Sequence, residues 1–114
     1  MGKFSFGKLE RLTKRHEFDK VLAEGRKKSI GKLFTVFSLP NGLGRKRLGI
    51  IASKKVGKAV ARNRVKRAIR ETFRHIKNQM VPETDIVVIS GREMVCKSHK
   101  VIDEKLSNAL RAIK

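Results

Sequence analysis

The sequence predicts a single α+β domain over residues 1–114, and three observations carry that expectation. A chain of 114 residues with 39% hydrophobic content is enough for one compact domain with its own core. Apolar residues recur at helical spacing in three stretches, and alternate or run together as strands do in three others. Turn residues separate these stretches, with no repeat and no low-complexity segment. The expected order is helix, hairpin, helix, strand, helix.

Residues 1–12 read as a basic, loosely ordered arm. It leads into a helix from about Lys14 to Glu24, with Thr13 as N-cap, Gly25 as stop, and Phe18, Val21 and Leu22 on the apolar side. Lys32 to Leu39 alternates as a strand, with Leu33, Thr35, Phe37 and Leu39 on one face and Phe34, Val36 and Ser38 on the other. Pro40, Asn41, Gly42 and Gly44 supply a turn. Arg47 to Ser53 is then a second strand, expected to pair antiparallel with the first as a hairpin with a somewhat long loop. The basic loop KKVGK delivers the chain into a long helix, from about Val60 to Gln79, which Pro82 helps to close. Asp85 to Ser90 (DIVVIS) is a β-branched run of the kind found in buried strands. After an irregular stretch around Gly91 to Lys97, Ser98 caps a final helix whose packing stripe is Ile102, Leu106, Ala109, Leu110 and Ile113.

Charge narrows the function. The chain carries 29 Lys plus Arg against 10 Asp plus Glu, a net +19, and residues 26 to 82 hold 17 of the basic side chains with one acidic. A localised patch on a folded domain fits a polyanion, and nucleic acid better than a membrane surface. No stretch approaches the roughly 20 apolar residues of a membrane span, and the start lacks the apolar core of a signal peptide, so a cytoplasmic protein is expected. The densest part of the patch is Arg62 to Arg74, RNRVKRAIRETFR. Arg62, Lys66, Arg70 and Arg74 form one i, i+4 row, flanked by Asn63, Arg67 and Lys77, while Val65, Ala68, Ile69, Phe73, Ile76 and Met80 recur on the packing side. Like charges at that spacing repel, so the row serves something other than helix stability.

Chemistry on the protein itself is unsupported. Glu71 is the lone acid of the basic region and reads as a salt-bridge partner. The glycines form no nucleotide-phosphate fingerprint, and no Ser or Cys has an evident base nearby. Cys96 is the only cysteine, which excludes an intrachain disulfide and a cysteine-built zinc site, and His16, His75 and His99 lack metal spacing. RNA is favoured over DNA, because no second helix-turn-helix element precedes the arginine helix. Six Phe with no Trp or Tyr leave few residues to stack on unpaired bases, and Phe18 and Phe37 are the candidates, each as readily a core residue.

The segment SKKVGKAVARNRVKRAIRETFR, residues 53 to 74, resembles the signature of the bacterial ribonuclease P protein component, with its RNR element in a basic helix. RLTKRHEFDKVLAEG at 11 to 25, RLGIIASKK at 47 to 55 and DIVVIS at 85 to 90 resemble the family's segments at the same places. The resemblance implies an α/β sandwich like the second domain of ribosomal protein S5, with a left-handed crossover through the long helix between two parallel strands. It implies a cofactor to a catalytic RNA subunit, in an endoribonuclease that removes the 5′ leader of precursor tRNA, with Mg²⁺ held mainly by RNA phosphates. Carried over by position, Arg62, Asn63, Arg64, Lys66, Arg67 and Arg70 face the RNA subunit, and Lys54 and Lys55 extend that surface; Arg74 is expected to bind phosphate with them as the last member of the i, i+4 row. Phe18 and Phe37 match aromatic positions of a cleft for the single-stranded leader, and Leu22 stands where some relatives carry a second cleft aromatic. A ribosomal or other structural RNA-binding protein, and a self-sufficient protein nuclease, are the rival readings.

Overall fold

The computed structural model describes residues 11–52, 56–80 and 83–113. Its elements are α1 (Arg15–Glu24), β1 (Arg26–Ile30), β2 (Phe34–Pro40), β3 (Arg47–Ile51), α2 (Ala59–Ile76), β4 (Thr84–Ser90) and α3 (His99–Arg111). Short 3-10 segments follow α2 at Lys77–Gln79 and precede α3 at Arg92–Cys96.

The strands form one sheet in the order β1-β2-β4-β3. Hydrophobicity decides the places. TDIVVIS of β4 is buried at six of its seven positions and takes a central place, whereas RKKSI of β1 is exposed at four of five and lies at an edge. Charged side chains stay solvated there and discourage further strand pairing. The sheet separates two apolar clusters. On one face Phe34, Val36, Leu48, Ile86 and Val88 pack with Val65, Ile69, Phe73 and Ile76 of α2 and with Ile102, Leu106 and Leu110 of α3. On the other, Val87 packs with Leu12 and with Val21 of α1, bordered by half-buried Phe18, Leu22, Phe37, Leu39, Ile51 and Ile89.

The strand pairing corrects the expected hairpin. β2 pairs antiparallel with β1 and with β4, and β3 runs parallel to β4 on the far side. α2 therefore joins two adjacent parallel strands. With β4 between β2 and β3, the most apolar strand has a hydrogen-bonded neighbour on both edges, which outweighs the short loop of a β2–β3 hairpin. The real hairpin joins β2 to β1, a strand that sequence periodicity does not reveal because RKKSI has no apolar alternation. Its turn places Gly31 at φ 52°, a conformation that side-chain-bearing residues rarely adopt.

Local signals fare unevenly. Thr13 is not the cap of α1: Glu17 Oε1 accepts the N–H groups of Lys14 at 3.1 Å and Thr13 at 3.3 Å, a carboxylate reaching back over the first turn. Ser98 does cap α3, accepting the N–H of Val101 at 3.3 Å. The long helix starts at Ala59 and ends at Ile76, three residues short of the expected Gln79, because Lys77 to Gln79 tighten into a 3-10 turn. Pro82 and residues 1–10 of the arm lie outside the described residues. The arm's last two residues run along β3, where the N–H of Leu12 donates to the Leu48 carbonyl at 3.0 Å.

Candidate nucleic-acid interface

α2 turns Val65, Ala68, Ile69, Thr72, Phe73 and Ile76 inward, and Thr72 Oγ1 donates to Asp103 Oδ1 of α3 at 2.9 Å, which fixes the helix's rotation. That rotation leaves Asn63, Arg67 and Arg70 exposed and Lys66 half-buried. The row Arg62, Lys66, Arg70, Arg74 is continuous along the helix, yet its members differ. Arg62 sits beside the packed side, half-buried, with its Nε enclosed and without a hydrogen-bond partner. Arg74 pairs with Glu71 at 2.6 Å, the salt bridge expected of the lone acid. Arg64 lies on the opposite flank and donates to the Val95 carbonyl of the second 3-10 segment. Lys66, Arg67 and Arg70 have no ion pair with any described acidic residue. Lys54 and Lys55 lie outside the described residues.

The cations meet an aromatic ring at the sheet's edge. Lys66 and Arg70 line a hollow of about 140 Å³ together with Arg11, Leu12, Phe18, Leu48 and Ile50. β3 is the edge strand, so side chains from α2 on one face and α1 on the other can converge around it. Phe18 approaches from the α1 side and lies against the backbone of Gly49. Phe37, on β2, belongs to the same α1-side cluster, as does Leu22. Phe18 and Phe37 are both half-buried, so each ring packs and still presents surface to solvent. Arg11 and Gly49 are members of this site that sequence periodicity does not single out.

A buried ion cluster holds α1 over the sheet. Arg47 of β3 donates from Nε to Asp85 Oδ1 and from Nη2 to Asp85 Oδ2, both at 2.7 Å, and from Nη1 to Glu17 Oε2 at 2.6 Å. Asn41 Nδ2 donates to Asp85 Oδ1 at 2.7 Å. The Arg47, Glu17 and Asp85 side chains are 12%, 17% and 8% exposed, so the bidentate geometry works in a low-dielectric setting. Hydrogen bonding to Asp85 raises the Arg47 pKa against the opposing effect of burial. Burial pushes the Glu17 carboxyl up, but hydrogen bonds from the Lys14 and Thr13 N–H groups and from Arg47 outweigh it and hold the carboxyl below its ordinary value. One signal for this cluster was present in the sequence: an acid, Asp85, opening an otherwise apolar strand.

Among the described residues, no three His, Cys, Asp or Glu side chains gather where they could hold a metal ion, and no helix is long and apolar enough to cross a membrane. Cys96, His16, His75 and His99 are exposed.

The Ribonuclease P family model matches residues 6–114. The ribonuclease P protein component of Dictyoglomus thermophilum is 45% identical over 89 residues, covering 78% of this chain and 73% of that protein. That of Thermotoga maritima is 38% identical over 113 residues, covering 96% of each. The solved structure of the Thermotoga maritima protein superposes with a TM-score of 0.84 at 36% identity, covering 92% of this chain and 98% of that one. The Staphylococcus aureus RNase P protein superposes with a TM-score of 0.83 at 33% identity, covering 90% and 93%. With the sheet order, the basic helix and these likenesses in agreement, the chain belongs to the ribonuclease P protein family.

Proposed function

We propose that the exposed ridge of α2 grips phosphates of the catalytic RNA subunit near the cleavage site, while Phe18 and Phe37 receive the unpaired 5′ leader of precursor tRNA. Family membership makes the chain an RNA-binding subunit of a tRNA-processing endoribonuclease. The division of labour within it rests on one observation: Lys66 and Arg70 line the same hollow as Phe18. A leader nucleotide laid against that ring would have its backbone phosphates beside two cations that form no ion pair among the described residues. Asn63, Arg67 and Arg62 continue the grip along the helix, with Lys54 and Lys55 leading into it. Arg64 and Arg74, each held by a protein partner, border the grip and contribute less to it.

In this reading the protein contributes position and charge. It neutralises phosphates where leader and RNA subunit crowd together, which lowers the repulsion that substrate and Mg²⁺ binding must overcome. Mg²⁺ sits on RNA phosphates, and the working complex is cytoplasmic. Reconstitution tests the proposal. The protein alone should leave precursor tRNA intact, and adding it to the catalytic RNA should lower the Mg²⁺ concentration needed for cleavage. Cleavage by RNA-free protein, or an unchanged Mg²⁺ requirement, would overturn it.

A further inference from the structure

β1 and the last turn of α3 enclose a hollow of about 250 Å³ whose walls are Val36, Ser38, Ala109 and Ile113 and whose rim carries Arg26 and Lys28. The register pairs Arg26 with Ser38 and Lys28 with Val36, so both cations rise from the sheet face that forms the floor. Two small helix residues, Ala109 and Ala112, leave the space open. Ser38 lines the hollow, and its hydroxyl has no hydrogen-bond partner among the described residues, so it is free to meet a ligand. Neither Arg26 nor Lys28 has an acidic partner among them.

A solvated edge strand accounts for the basic residues of β1 taken alone. It does not account for an apolar hollow beside them, nor for a hydroxyl that lines that hollow and is open to a ligand. The combination fits one ligand chemistry. Apolar walls accept the face of a base, a hydroxyl that donates or accepts reads a base edge or a ribose, and the flanking cations hold phosphates. The volume lies below the roughly 300–1,000 Å³ of sites for drug-sized ligands, which suits one base and excludes a helical stem.

We propose that this hollow is a second RNA-binding site, which takes a single unstacked nucleotide of the catalytic RNA subunit. The sheet order puts about three strand spacings, roughly 14 Å, between it and the Phe18 hollow. A leader lying on the α1 face would have to leave that face and round the sheet to enter it. The site therefore stands whether or not Phe18 contacts the leader.

Ala112 is exposed at the end of α3, so Ala112→Phe should plug the hollow without altering any charge. With the full chain and its catalytic RNA, the dissociation constant for that RNA should rise roughly tenfold, and the salt slope should flatten as the phosphates held by Arg26 and Lys28 are lost. The preference of the assembled enzyme for precursor over mature tRNA should stay as in the wild type. Ser38→Ala, which removes one hydroxyl and almost no volume, should raise the same constant roughly fivefold. Melting followed by circular dichroism separates loss of fold from loss of contact, and if Ala112→Phe melts early, Ser38→Ala decides. Constants within twofold of wild type in the folded variants would overturn the site. A loss confined to precursor tRNA would overturn its assignment to the RNA subunit.

Discussion

The ring of Phe18 rests where a side chain at position 49 would stand: a Cβ on Gly49 would lie 2.5 Å from Phe18 Cε1 and 2.7 Å from Cζ, and 3.2 Å from Leu12 Cβ. The glycine is a seat for the aromatic ring, and it lies on the edge strand that also borders Lys66 and Arg70.

Gly49→Ala should therefore lift Phe18 without touching any charged residue. Overpacking of this kind costs roughly 1–3 kcal/mol, and it should appear as a lower denaturation midpoint. If Phe18 serves the leader, the variant should also lose preference for precursor over mature tRNA, as Phe18→Ala should. Equal affinities for the two RNAs already in the wild-type complex would remove the leader role, while a wild-type preference in Gly49→Ala would show that the seat does not govern it.

Arg47 is the sole side chain that joins Glu17 of α1 to Asp85 of β4 in this cluster, at 2.6 and 2.7 Å. Arg47→Met should cost roughly 3–5 kcal/mol, because it leaves the Asp85 carboxylate, at 8% exposure, without its countercharge. Adding Asp85→Asn should recover part of that loss by removing the stranded charge. Urea denaturation of the two variants measures both steps, and a double variant no more stable than Arg47→Met would contradict the charge argument.

The sign of the acid response follows from Glu17, whose carboxyl is held below its ordinary value of 4.5. A carboxyl lowered in the folded state contributes stability that is complete above its unfolded value and is lost as pH falls through the folded one. Denaturation midpoints should drop as pH goes from about 5 to about 3, and the drop should be shallower in Glu17→Gln. Parallel pH profiles for wild type and variant would show that Glu17 contributes nothing to the acid limb.

What the sequence made legible follows from how local each signal is. The buried face of α2, the cap at Ser98 and the central strand DIVVIS are set by residues a few positions apart, and periodicity reads them directly. The strand order is not local. RKKSI is a strand only because Phe34 to Ser38 lie beside it, and β2 and β3 part only because β4 enters between them from more than thirty residues away. The candidate site shows the same division. The basic ridge is visible as a helix face, while its convergence with Phe18, the seat at Gly49 and the Glu17–Arg47–Asp85 cluster depend on contacts across elements.

The basic row itself should not titrate RNA uniformly. Lys66 and Arg70 are free of ion pairs with described residues and line the Phe18 hollow, whereas Arg74 is held by Glu71 and Arg64 by the Val95 carbonyl. A cation that must leave a protein partner gives up part of what it gains from phosphate, so its removal should matter less. In a plot of the logarithm of RNA affinity against the logarithm of salt concentration, Lys66→Ala and Arg70→Ala should each flatten the slope by roughly 0.7 to 0.9. Arg64→Ala and Arg74→Ala should flatten it by clearly less. Four equal changes would mean that the Arg74–Glu71 ion pair and the Arg64–Val95 hydrogen bond both give way on binding and that the whole helix face acts as one phosphate grip, while no change at Lys66 and Arg70 would place the RNA backbone elsewhere on the protein.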